Sequence, residues 1–147
     1  MGLALALGLS VAQRATAVQT IVVDRNTGLA ISGFDPVAYF ADHAPRFGAP
    51  DFEYWYAGAV WRFRNEGNRA EFAKHPDVYM PRFGGYDPVA IARGVSVAGH
   101  PEIWMVAGER LYFFYDDKAR IAFAGQPERF IEAAERKWSA VQRTIGP

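Results

Sequence analysis

Cysteine is missing from all 147 residues. That excludes disulfides, a thiolate-bound metal, a catalytic thiol and the modified cysteine of a lipoprotein. An excess of either charge is missing as well, since 16 basic residues face 16 acidic ones. With no basic run or stripe, nucleic acid is not an expected partner. No apolar run approaches the ~20 residues that a membrane-spanning helix needs. The P-loop, the dinucleotide fingerprint, the hydrolase elbow and the HExxH pattern are all missing too. Ser32 and Ser96 have no supporting nucleophile pattern around them. The histidines, His43, His75 and His100, never stand three or four positions apart, so no helix presents a pair of imidazoles.

Apolar residues make up 50% of the chain and aromatics 15%, enough for the core of one domain. The N-terminus has a separate character. Leu3 to Ala12 is a short apolar run, and Ala15 and Ala17 stand in an A-x-A pattern. This reads as a secretory signal over residues 1–17, leaving a single domain at 18–147 with no membrane span. The expected location is exported and periplasmic. No Lys or Arg directly follows Met1, so the basic part of a signal is expected to be either absent or upstream of this start.

The mature sequence repeats itself. "GFDPVAYF" at Gly33–Phe40 returns as "GGYDPVAIARG" at Gly84–Gly94. Aspartate before proline is a good helix start: Asp caps, and Pro fits the first turn. Phe52–Phe63 and Glu102–Phe114 each read as an aromatic hairpin around a Gly turn. Asn68–Tyr79 and Ala119–Phe130 match as helices interrupted before Pro76 and Pro127. Arg69/Arg120, Phe72/Phe123, Ala73/Ala124, Pro76/Pro127 and Tyr79/Phe130 are all 51 positions apart. Asp35/Asp87, Trp55/Trp104 and Gly58/Gly108 recur at slightly different offsets, a drift assigned to loops. The expected fold is α+β: two pseudo-repeated ββα-type halves, roughly 33–80 and 85–130, around one core. An amphipathic final helix is expected from Pro127 to about Ile145. Phe130, Ile131, Ala134, Trp138, Val141 and Ile145 form its apolar stripe.

The repeat unit resembles the YHS domain family, whose members often carry Asp-Pro-Val-Cys, then G-x-x-Y-y-F-C-S, then F-x-x-x-P-x-x-Y. Here the matching runs are Asp35–Ala38, Gly58–Asn65 and Phe72–Tyr79, while "PRFGGYDPVAIARG" is similar to a run of exported YHS-domain proteins. The resemblance spans roughly residues 31 to 145. It implies a small binding module, metal-associated where the thiols are kept. This chain has Ala38 and Arg64 where thiols would fall, Ala90 and Phe114 in the second copy, and Asp87 in the GGYC version. A thiolate-bound metal is therefore not expected, and no cofactor is identified.

Asp35 and Asp87 are candidates for a carboxylate pair that holds a cation or shares a proton. The plainer reading, two helix caps of ~1 kcal/mol each, is preferred. Tyr39, Tyr86 and Trp104 are expected to line an apolar pocket with these carboxylates, and Trp55, Trp61 and Tyr112 belong to the same aromatic set. His75 and His100 are weak metal-ligand candidates, more simply read as turn residues. The expected function is a non-catalytic exported module for a small ligand, or for a cation held by oxygen and nitrogen. The alternative is a protein-interaction or structural module, and an acid–base enzyme using the two aspartates comes third.

Overall fold

The computed structural model describes residues 20–146, so the signal-peptide expectation for 1–17 lies outside the described residues. The first half contains α1 (Ala38–Ala41), β1 (Ala49–Tyr56), β2 (Ala59–Phe63), α2 (Glu66–Lys74) and α3 (Pro76–Tyr79). The second contains α4 (Pro88–Ala92), β3 (His100–Ala107), β4 (Arg110–Phe114), α5 (Asp117–Gly125) and α6 (Pro127–Gln142). This is the α+β arrangement of two repeated halves, with one antiparallel hairpin in each.

The repetition is stricter than the sequence match. Both strands of the hairpin and the helix after it begin 51 positions later in the second half. Each hairpin turns through two residues with positive φ, Ala57-Gly58 and Gly108-Glu109, the twist that tight hairpins favour. These turns correct two pairings. Gly58 corresponds to Glu109, and Trp55 corresponds to Val106 rather than Trp104. Trp55 pairs with Val60 across its hairpin, as Val106 pairs with Leu111. The change of offset falls between the Asp-Pro pair and the strand, where the first half carries one extra residue. Matching tryptophans was misleading because the backbone register decides equivalence.

Both hairpins carry the same bulge. Pairing passes from Ala49↔Phe63 to Glu53↔Arg62, and from His100↔Phe114 to Trp104↔Phe113. Gly99 sits just ahead of the second bulge, where a Cβ would stand 2.5 Å from Phe113 Cβ. Both halves also open on a left-handed turn: Ile31-Ser32-Gly33 with φ of 44°, 56° and 80°, and Phe83-Gly84-Gly85 with 55°, 63° and 92°. The segment before Ile31 ties the two turns together. Val22 N–H donates to Gly84 O at 2.9 Å, and Ile31 N–H donates to Val22 O at 2.9 Å. The segment lies so close to Gly84 that a Cβ there would meet Thr20 O at 1.7 Å.

Helix starts follow capping chemistry. Asn65 and Asp116 accept backbone N–H bonds from Asn68 and Ala119, each at 2.8 Å. Pro76 and Pro127 then restart the helix after His75 and Gln126, since proline brings no N–H to continue the ladder.

The halves share a core through β4. In β2 the burial alternates, with Ala59, Trp61 and Phe63 inward. In β4 both faces are covered: Leu111 and Phe113 join the first-half cluster, while Tyr112 and Phe114 join a second cluster. Helix α6 closes that second cluster with Ala134 and Val141, and with Phe130, Ile131, Trp138 and Ile145 partly buried. It ends at Gln142, short of Ile145, and packs against α4.

Candidate functional site

The two aspartates of the repeat are both buried, Asp35 with 0% of its surface exposed and Asp87 with 2%. In the first half, Asp35 Oδ1 accepts from Val37 N–H at 2.8 Å. Its Oδ2 accepts from Arg64 N–H at 2.8 Å and from Asn68 Nδ2 at 2.7 Å. In the second half, Asp87 Oδ1 accepts from Val89 N–H at 2.8 Å and Ala90 N–H at 3.4 Å. Its Oδ2 accepts from Tyr115 N–H at 2.9 Å. Each carboxylate thus joins the start of its short helix to the first residue beyond its hairpin. Asp87 caps α4 directly, whereas α1 begins only at Ala38, so Asp35 holds the turn ahead of it. The residue equivalent to Arg64 is Tyr115, not Phe114.

The two aspartates have no hydrogen-bond partner in common. Each satisfies amides of its own half, which corrects the idea of one pair working on a shared proton. The capping reading describes Asp87, whereas Asp35 is corrected to a turn residue because α1 starts after Val37 and takes no side-chain cap.

Their surroundings differ at several positions. Asn68, which donates to Asp35, is replaced in the second half by Ala119, leaving Asp87 Oδ2 with a single donor. The first half also carries an ion pair between Arg64 and Asp42 beside this site. The second half has exposed Tyr115 in place of Arg64, and a cavity of about 620 Å³. Val89, Ala90, Val97, Ala119 and Ala122 supply its apolar lining. Asp87 contributes the buried polar group, and Arg93, Asp116 and Lys118 add charged ones.

The aromatic candidates lie elsewhere. Tyr39 is fully buried, and its hydroxyl donates to Pro101 O at 2.8 Å. Its ring meets Trp104 edge-on at 5.2 Å and Phe113 at 5.3 Å. Burial, reinforced by the charges of Glu102 and Asp35, pushes the Tyr39 phenol well above its ordinary value. Tyr86 belongs to the second cluster, 5.9 Å from Trp138. Tyr39 and Trp104 therefore come together and Tyr86 does not join them, and none of the three lines the Asp87 cavity. Trp61 and Tyr112 are core residues, while Trp55 is 69% exposed.

The histidines are apart from these groups. His75 is exposed between α2 and α3, and exposed His100 accepts from Glu102 N–H through Nδ1 at 3.3 Å. Among the described residues no three His, Asp or Glu side chains are grouped to hold a metal ion. A cation site built from oxygen and nitrogen finds no such donor set there.

Asn68 and Ala119 belong to no recognisable site motif, although the sequence carries a signal for them. Aligning the halves at 51 places asparagine opposite alanine, but only the structure reveals that the asparagine reaches a buried carboxylate. Compared with models of known families, with curated proteins and with solved structures, the chain matches none.

Proposed function

We propose that the chain is a non-catalytic YHS-like binding module, acting after export, that holds a small ligand in the second-half cavity beside Asp87. One observation carries this reading: a buried carboxylate that has a side-chain amide donor in one half has only backbone donors in the other among the described residues, and a cavity lies beside it there. The donor that fills the first site is a primary amide, so the fitting ligand presents an N–H donor on a small apolar body. A buried carboxylate with spare acceptor capacity favours a partner that donates. Apolar walls with few polar groups are the usual composition of a small-molecule site.

The probe is isobutyramide, followed through backbone amide resonances of the ¹⁵N-labelled protein. Saturable shifts at Val89, Ala90, Tyr115 and Ala119 are expected. Ala119→Asn, which imports the first-half donor, should abolish them while the fold stays intact. Shifts that survive in Ala119→Asn, or none into the high millimolar range, would overturn the reading.

A further inference from the structure

A second cavity, on a different face of the repeat, has its own polar signature. Thr20, Asp77, Arg82, Arg110, Trp138 and Gln142 are among its lining residues, and its volume is about 350 Å³. Arg110 is one of the residues lining it, and its Nε is buried without a hydrogen-bond partner, the only such side-chain nitrogen or oxygen among the described residues. A buried unpaired donor is rare in native proteins and calls for an explanation, an absent ion or ligand being one.

Across the pseudo-repeat, both arginines stand where the first half has alanine. Arg82 and Arg110 take the places of Ala30 and Ala59, which are buried in the first half. Arg82 is ion-paired with Glu135 on α6 and lies over the Phe83 ring. Burial first, and then the Arg82 charge, hold the Arg110 guanidinium below its ordinary value, with Tyr112 and Asp77 opposing. Two guanidinium groups thus bear on one small cavity, and one retains an unused N–H.

We propose that this cleft is a second ligand site, taking a small monocarboxylate whose oxygens meet Arg110 Nε and the neighbouring guanidinium charge and whose apolar end lies against Trp138. The planar guanidinium fork matches a carboxylate in two-point fashion. Asp77 and Glu135 stand around the same arginines, so a singly charged anion is favoured over a doubly charged phosphate. The volume lies at the small end of ligand pockets, which begin at ~300 Å³. The site shares no lining residue with the Asp87 cavity and does not depend on it.

The test follows the Arg110 Nε–Hε resonance during titration of the full chain with benzoate and, in a separate arm, with inorganic phosphate. Benzoate should move that resonance saturably and phosphate should act more weakly. Arg110→Leu should weaken benzoate binding at least ~10-fold by calorimetry, a loss of ~1.4 kcal/mol. Ala119→Asn should leave benzoate binding unchanged, which separates this site from the amide site. An Nε–Hε resonance unmoved by benzoate, or phosphate binding the tighter of the two, overturns the proposal. The wild-type titration decides the matter even if Arg110→Leu fails to fold.

Discussion

Asn68 does for Asp35 what no side chain among the described residues does for Asp87. Removing it in Asn68→Ala should cost about 1–2 kcal/mol in urea unfolding, because a buried carboxylate oxygen loses one of two donors. Ala119→Asn should not destabilise comparably, since it recreates a bond that the first half already makes. Gly84 is constrained by geometry instead. Its φ is +63°, and an added Cβ would lie 1.7 Å from Thr20 O, a backbone atom. Gly84→Ala should therefore cost more than about 3 kcal/mol, the range of severe backbone conflicts. Tyr39 supplies a pH test. Its folded phenol resists ionisation, mainly through burial, while the unfolded chain ionises near the ordinary value of 10.0. The neutral form therefore favours the fold fully below pH 10, and that contribution is lost as pH rises above it. Tyr39→Phe should flatten the alkaline fall in melting temperature and cost about 1 kcal/mol at neutral pH through the lost Pro101 bond.

At the level of elements, β4 differs from its counterpart more than their shared hairpin pattern suggests. Aromatic, turn-flanked runs foretold both hairpins, and His75-Pro76 foretold the break between α2 and α3. The runs did not reveal that β4 is buried on both faces while β2 is buried on one. "RLYFF" against "AVWRF" contains a hint, because an arginine interrupts the apolar run of β2 and none interrupts β4 after Arg110. Strands covered on both faces open with the whole structure, whereas exposed strands such as β1 open locally. The amides of Leu111–Phe114 should be the slowest of the sheet residues in hydrogen exchange, with β1 clearly faster. Equal protection of β1 and β4 would contradict this account of the core.

The whole molecule is a repeat whose halves are not interchangeable. The first-half cluster draws Leu111 and Phe113 from β4 and packs Trp104 of β3 against Tyr39. Val22 bonds to the left-handed turns of both halves. A chain ending at residue 80 would lack those side chains, and a unit that small already buries only ~60% of its unfolded surface. It should show no cooperative thermal transition by circular dichroism, whereas the complete domain should melt in one step. Both cavities draw mainly on the second half, and each is lined by a residue that differs from its first-half counterpart. Copies of one frame position equivalent residues, and single replacements, Asn68 by Ala119 and Ala59 by Arg110, then change what those positions can bind.

By itself the sequence determined the repeat, the two hairpins, the capped start of α4 and the stripe on α6, because periodicity, turn chemistry and capping act over a few neighbouring residues. Tertiary structure alone decided that the two aspartates serve separate halves, that Tyr39 and Trp104 lock the core while Tyr86 packs elsewhere, and that Trp55 faces solvent. It alone exposed the missing donor at Asp87 and the unpaired nitrogen of Arg110. Those facts depend on which distant groups share a buried space, and no local pattern encodes where a side chain 33 positions away will place its amide.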